Sequence, residues 1–221
     1  GPLVPPAVWR SPNWGRLYPW AMCQHTAVAG QGNGLELLAV QQLHDLLRDM
    51  HRLRATDTSA FRAAYAAFAA EAVQLAEAVC YEGYMPECRS REPSALHYAA
   101  GCGCLEACAS LLEHCGRLNF TLDATGQAPL AWAAQSGLCD TVALLLRHGA
   151  DAEHVDEEGR VPLHLAAAGG CFRTCRLLLE DPGTRRGSLA VGDGRGWTPL
   201  HAAAAAGRAG VCQLLLAAGA E

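Results

Sequence analysis

The sequence predicts an all-α fold: a solenoid of stacked helix-turn-helix units with β-turn fingers, preceded by an N-terminal helical hairpin that caps it. Three observations carry this. Four short blocks, Ser94-Ala95-Leu96-His97, Ala128-Pro129-Leu130-Ala131, Val161-Pro162-Leu163-His164 and Thr198-Pro199-Leu200-His201, set their leucines 34, 33 and 37 residues apart, a period that belongs to repeat architectures. Each block runs into an alanine pair and then a glycine, Gly103, Gly137, Gly170 or Gly207. A Leu-Leu pair follows about two helical turns later, beginning at Leu111, Leu144, Leu177 and Leu214. Asp-x-x-Gly stands ahead of three blocks, at Asp123, Asp156 and Asp193, with the residue types of a tight turn.

In chain order, residues 1–34 hold five of the eleven prolines and three of the five tryptophans, Trp9, Trp14 and Trp20, without periodicity. That composition predicts an extended arm whose tryptophans pack on the helices or on a partner, with a plain flexible tail as the alternative. Residues 35–90 are different. Asn33-Gly34-Leu35-Glu36 has capping-box spacing, and Leu35, Ala39, Leu43, Leu46, Met50 and Leu53 share one helical face, which predicts a helix over 35–54. Past Asp57-Thr58, Phe61, Tyr65, Phe68, Ala72, Leu75 and Val79 alternate by four and three, the stripe of a second helix. The pair predicts an antiparallel hairpin docked as a cap. Because Phe61 lies 35 residues before Leu96, the second helix is alternatively a degenerate capping repeat.

Residues 91–221 divide into four repeats, over about 91–123, 124–156, 157–193 and 194–221. Each is a β-turn, a short inner helix opened near its first turn by proline, a loop broken by glycine, and an outer helix carrying the leucine pair. One such unit cannot bury its own apolar face, whereas stacked neighbours share a continuous core. The long interval before the last block holds an extra turn, Glu180 to Gly187, and predicts a surface bulge there.

These blocks and their spacing resemble the ankyrin repeat family, whose Thr-Pro-Leu-His signature and period of roughly 33 residues match about three fifths of the chain. The resemblance implies that the Thr hydroxyl and the His imidazole tie each helix start to the neighbouring turn. Only the block at 198–201 keeps both residues. The block at 128–131 has Ala in both places, so that unit is expected to lean on apolar packing and to open more easily.

Composition narrows the function. With 51% hydrophobic and 18% charged residues the chain is too apolar for disorder, and no apolar run reaches the roughly 18 residues of a membrane span. A net charge of −5 offers no general attraction to a phosphate backbone, so nucleic acid is not the expected partner. Eleven cysteines, an odd number without a signal peptide, predict reduced thiols and a cytoplasmic or nuclear location. The start at Gly1-Pro2 without Met and the stop at Ala220-Glu221 predict a piece of a longer protein.

No catalytic or cofactor constellation emerges. Cys102, Cys104, Cys108, His114 and Cys115 crowd together, but Cys108, Val142, Cys175 and Cys212 share one site five residues past the unit glycine, where Cys replaces a buried Val. Four converging zinc ligands are not expected from that arrangement, and no metal site is predicted. Cys23, Cys80 and Cys88 have no setting that would make a nucleophile. His97, His164 and His201 stand at the signature site, and His114 and His148 close outer helices, where a partial positive charge suits the dipole. Hydrolase, phosphate-loop and metalloprotease motifs are lacking, so neither an enzyme, a cofactor nor a small-molecule substrate is predicted.

The expected function is therefore recognition of a protein or peptide segment. The family resemblance implies that partners bind the concave face made by the turn tips and the inner helices. Two residues past each signature leucine come Tyr98, Trp132, Leu165 and Ala202, and ahead of the leucines stand Gln127, Arg160 and Trp197, beside the turn-tip residues Thr125, Glu157, Glu158 and Arg195. Aromatic and arginine side chains of this kind dominate binding energy. Asp151, Glu153, Asp156, Glu157 and Glu158 make one finger acidic, and Arg185, Arg186 and Arg195 make the next edge basic, which would orient a peptide of mixed charge. Val211, Leu214, Leu215 and Leu216 form a last outer helix with no polar cap after it, so further repeats, another domain or a partner is expected to cover that end. The alternative function is a structural spacer whose own groove stays empty.

Overall fold

The computed structural model describes residues 32–57, 59–61, 65, 69, 71–72, 93–114, 116–181 and 186–220. The expectations for the arm and its tryptophans, for Phe68, Leu75 and Val79, for Cys23, Cys80, Cys88 and Cys115, and for the extra turn at 182–185 lie outside those residues. Every described regular element is helical.

Inner helices start where the sequence removes a backbone donor or supplies a cap. Helices α4 (Pro129–Gln135), α6 (Pro162–Gly169) and α8 (Pro199–Ala205) each open on proline, whose missing N–H falls at a position that has no helical acceptor anyway. Helix α2 (Ala95–Cys102) follows Ser94 instead and stops at Gly103, whose φ of 79° suits glycine. The outer helices are α3 (Leu105–His114), α5 (Cys139–Arg147), α7 (Phe172–Glu180) and α9 (Ala209–Ala217). Short 3-10 turns at Gly116–Phe120 and Arg186–Leu189 lead from the first and third outer helices towards the next finger.

Stacking is strictly between neighbours. Among the inner helices α2 packs on α4, α4 on α6 and α6 on α8, while α3, α5, α7 and α9 form the parallel outer row. Leu96, Leu130, Leu163, Leu111, Leu145, Leu178 and Leu215 are all at most 1% exposed, and they form one continuous cluster rather than a single round centre. Burying a leucine contributes about 2 kcal/mol, and here each is buried only because the adjoining unit covers it. The alanine pairs 99–100, 133–134 and 166–167 are fully buried, which lets inner helices approach closely. At each loop, the residue following the unit glycine folds over the glycine of the unit before. A Cβ on Gly103 would meet Leu138, one on Gly137 would collide with Cys171 Sγ, and one on Gly170 would meet Arg208.

Helix α1 (Gly32–Thr56) continues this stack on the other side. His44 Nε2 bonds the Pro93 carbonyl at 2.8 Å, ahead of α2, and the Arg54 guanidinium donates to the Cys102 carbonyl at 2.8 Å, at its end, so the two helices run in the same direction. Leu43, Leu47 and Met50 of α1 are buried in the contact. Asp57 then caps a further helical stretch, its Oδ1 accepting the N–H groups of Ser59 and Ala60 at 3.0 and 2.9 Å. From that stretch the Tyr65 hydroxyl donates to the Gly103 carbonyl at 3.1 Å.

The signature histidines are hydrogen-bonded rungs. In the first unit the Ser94 N–H donates to His97 Nδ1 at 3.0 Å, and His97 Nε2 donates to the Gln127 carbonyl of the next finger at 2.9 Å. In the third, the Val161 N–H donates to His164 Nδ1 at 3.2 Å, and His164 Nε2 reaches the Trp197 carbonyl at 2.9 Å. Because Nδ1 accepts and Nε2 donates, both rings are neutral. The second unit, with alanine at both signature sites, leans on apolar packing but is not without a polar link. The polar link is restored from the following finger, where His154 Nε2 donates to the Gly126 carbonyl at 2.7 Å, and by Gln127 Nε2, which donates to Asp156 Oδ2 at 3.2 Å. Fingers also bond directly, Glu157 N–H to Thr125 carbonyl at 3.0 Å and Gly194 N–H to Glu158 carbonyl at 2.7 Å.

At the far face the same positions are open. His97 and His164 are buried whereas His201 is exposed, Cys212 is half-buried where Cys108, Val142 and Cys175 are fully buried, and Leu216 is 55% exposed.

Two predictions follow from these contacts. Burial lowers the pKa of His97 and His164 below the ordinary 6.5, so in this range the native chain binds fewer protons than the unfolded one. Their contribution is complete above pH 6.5 and falls as pH drops below it; urea midpoints measured from pH 7.5 downwards should decline from about that point. Gly159, at φ 79°, brings its Cα against finger backbone, where a Cβ would lie 2.7 Å from the Gly194 nitrogen. Gly159→Ala should cost about 2 kcal/mol or more in urea unfolding, because neither the dihedral nor the backbone contact can relax.

Candidate functional site

The concave face is built from finger residues and from inner-helix positions two past the signature leucine. At its N-terminal end, Tyr98 and Trp132 meet edge to face, with ring centroids 5.4 Å apart. Helix α1 contributes to the same cluster, His44 standing 5.0 Å from Tyr98 and His51 standing 4.9 Å from Trp132. The Trp132 indole N–H donates to Asp123 Oδ2 at 2.9 Å, and both aromatics are half-buried. Helix α1, His97 and Asp123 thus cover part of these rings.

Two other residues expected on the concave face are largely covered. Leu165 is 6% exposed because α8 packs across it, and Gln127 is 7% exposed because its amide serves Asp156 and its carbonyl serves His97. Neither presents much area to a partner. Arg160 is half-buried, with Nε 2.9 Å from Asp156 Oδ2 and Nη1 2.7 Å from Glu158 Oε2. Glu157, Glu158 and Arg195 are exposed on the finger tips, and Trp197 is 42% exposed.

The structure brings Arg160 and Leu165 together with Gln135, His164, Ala168, Gly169, Asp193 and Ala202 around a shallow depression of about 350 Å³ between the third and fourth units. Tyr98 and Trp132 are not among its walls. The acidity expected of the second finger is partly spent internally. Asp156 is buried and paired with Arg160, and Glu153 accepts the Ser188 hydroxyl at 2.8 Å. Arg185 lies outside the described residues.

The finger aspartates, expected from the sequence as turn formers and, for Asp156, as part of an acidic finger, each close a turn. Asp123 Oδ1 accepts the N–H groups of Thr125 and Gln127, each at 2.9 Å. Asp156 Oδ1 accepts those of Glu158 and Arg160 at 3.0 and 2.8 Å, and Asp193 Oδ1 those of Arg195 and Trp197 at 2.8 and 2.9 Å. Burial alone would raise the Asp123 carboxyl, but the Gln127 N–H, the Thr125 hydroxyl and the Trp132 indole hold it below the usual carboxylate range. The Trp197 N–H does the same for Asp193. Their constant place seven residues before Leu130, Leu163 and Leu200 was a visible signal. What each second oxygen would meet was not.

The cysteines are packing groups. Burial pushes the Cys102 thiol up to about 12 and Cys104 to about 11, and drives Cys108 well above its ordinary value, so thiolate is disfavoured at all three. Among the described residues no group of three or more His, Cys, Asp and Glu side chains is arranged to hold a metal ion, and no helix is long and apolar enough to cross a membrane.

Comparison with known proteins gives the same architecture. The family model described as ankyrin repeats, in three copies, matches residues 61–156 and 139–221. The chain is 39% identical over 74 residues to the neurogenic locus Notch protein of Drosophila melanogaster, covering 34% of this chain and 3% of that protein. It is 34% identical over 87 residues to a B-cell lymphoma 3 protein homolog of Mus musculus, 39% of this chain and 19% of the relative. Similarity to the human transient receptor potential cation channel subfamily A member 1 is 40% over 89 residues, covering 39% and 8%. The chain thus spans less than a fifth of the length of these curated relatives.

Trp132 ties the first finger to α1, so Trp132→Ala should lower unfolding stability by about 2 kcal/mol or more, and Trp132→Phe, which loses only the bond to Asp123, by about 1 kcal/mol. Equal midpoints for both variants and the parent chain in urea would contradict that role.

Proposed function

The chain belongs to the ankyrin repeat family, and from that premise we propose that it is a non-enzymatic protein-recognition module that takes a partner segment in its concave face. Ankyrin repeats are protein-interaction modules, and the relatives that share them are larger proteins. The observation that favours the groove here is the run of exposed finger-tip residues, Glu157, Glu158, Arg195 and Trp197, bordering the depression between the third and fourth units. Fingers locked to one another through backbone bonds form a rigid edge, so a partner would pay little to order it. Contact would centre on Trp197, Arg160 and the tip carboxylates, with Leu165 in the wall of the depression and Tyr98, Trp132 and Gln127 further along the concave face. Free thiols at all seven described cysteines favour a reducing compartment, the cytoplasm or the nucleus. The open positions at His201, Cys212 and Leu216 suit cover by a further repeat, another domain or a partner.

A second reading, a spacer that positions other domains, is favoured by the small share of each relative that the chain covers. Site-specific photocross-linking in cells separates the two. A benzophenone side chain at position 197 on the groove, compared with one at Arg176, exposed on α7 away from it, should trap a partner from 197 alone. Trapping from 176 alone, or equally from both, would reject the groove. No trapping from either position would favour the spacer.

A further inference from the structure

The three finger aspartates solve one half of their hydrogen bonding identically and the other half differently. Each Oδ1 closes its own turn through two backbone N–H groups. The second oxygen of Asp123 accepts the Trp132 indole at 2.9 Å. That of Asp156 accepts Arg160 Nε at 2.9 Å and Gln127 Nε2 at 3.2 Å. For Asp193 Oδ2 no donor is found among the described residues. The reason lies in the sequence at two equivalent positions. The site two past the leucine runs Trp132, Leu165, Ala202, and the site three before it runs Gln127, Arg160, Trp197. In the fourth unit the first has shrunk to a methyl group, and the second carries an indole that is 42% exposed and bonds nothing on its own aspartate through the ring.

What remains is the depression walled by Asp193, Ala202, Leu165, His164 and Arg160. Among the described residues no side-chain cation forms an ion pair with Asp193, although the Arg195 charge lies near it. Arg160 is committed to Asp156 and Glu158, both nitrogens of His164 are used within the rung so that the ring is neutral, and Arg195 bonds Asp193 only through its backbone N–H. The Trp197 and Arg195 N–H groups, with the nearby Arg195 charge, hold the Asp193 carboxyl below the usual carboxylate range.

We propose that this notch is a subsite for an arginine side chain of the bound partner segment, its guanidinium donating to Asp193 Oδ2 in the place that the Trp132 indole and the Arg160 guanidinium fill on the other two fingers. The assignment rests on the groove reading given above. A flat, multiply donating cation is what the neighbouring units use against the same oxygen, and planar guanidinium is the group that matches a carboxylate edge-on. The exposed Trp197 ring at the end of the same finger adds a face on which such a cation can lie.

The test uses the isotope-labelled chain titrated with N-acetyl-arginine amide and followed by NMR. Saturable shifts are expected at the Asp193 side-chain carboxyl and the Ala202 methyl, with the Trp132 indole N–H unmoved. Asp193→Asn keeps an oxygen for the turn but replaces the outer acceptor by a donor, and should weaken binding about tenfold or more, the scale of a charge-assisted hydrogen bond. Shifts of equal size with the neutral isostere N-acetyl-citrulline amide, shifts unchanged in Asp193→Asn, or no saturable shift at Asp193 and Ala202 would each overturn the subsite. N-acetyl-lysine amide binding as tightly as the arginine probe would overturn its guanidinium specificity. A partner cross-linked from position 197 whose binding is undiminished by Asp193→Asn removes the notch and leaves the groove, whereas loss of cross-linking at 197 with a positive arginine titration does the reverse.

Discussion

No unit of this chain can bury its apolar face alone, and every other feature follows from that constraint. A pair of helices, an inner one of 7 or 8 residues and an outer one of 9 or 10, leaves a leucine pair, an alanine pair and a signature leucine uncovered, and only an adjoining copy can dehydrate them. Leu130 is sealed by α2 and α6, and Leu145 by α3 and α7. Polar bonds across the junctions are then made in an already dry setting. The histidine rungs from His97 and His164 add direction to packing that apolar contact leaves free to slide, since each ring fixes one finger carbonyl relative to the preceding helix start.

Most of this was legible before the coordinates. The leucine period, the proline that opens three of the four inner helices and the glycine between helices place α2 to α9 in order, because those signals are local and recur from unit to unit. Side-chain partners were not legible. Nothing in the sequence around Trp132 says that His51 will lie beside it, because that contact joins residues 81 positions apart through the docking of α1. Leu165 and Ala202 share one position and were expected to line a strip, yet Leu165 is covered by the next inner helix. The polar link of the second unit was hidden for a related reason. Its missing histidine was visible at Ala131, but the replacement, His154, comes from the far side of the junction and carries no motif.

The fingers show how one residue type takes different duties without changing its local geometry. Asp123, Asp156 and Asp193 close the same turn through the same oxygen, and the backbone bonds between successive fingers keep the three in line. The second oxygen is then presented at a fixed height along the concave face, and the chemistry there is decided by whichever side chain stands opposite: an indole, a guanidinium with an amide, or the space above Ala202. A regular backbone with irregular side chains is what a recognition surface requires, since register is supplied by the scaffold and discrimination by a few substitutions upon it.

The loop contacts on the outer helices have the opposite character. Leu138, Cys171 and Arg208 all lie over the glycine of the preceding unit, Gly103, Gly137 and Gly170. An aliphatic group, a thiol and a long cation fit the same socket because the glycine offers only bare main chain, which distinguishes shapes poorly. Such a joint fastens two modules without inspecting what fastens them. By that geometry, units could be exchanged or duplicated at this seam without any new complementarity having to arise first.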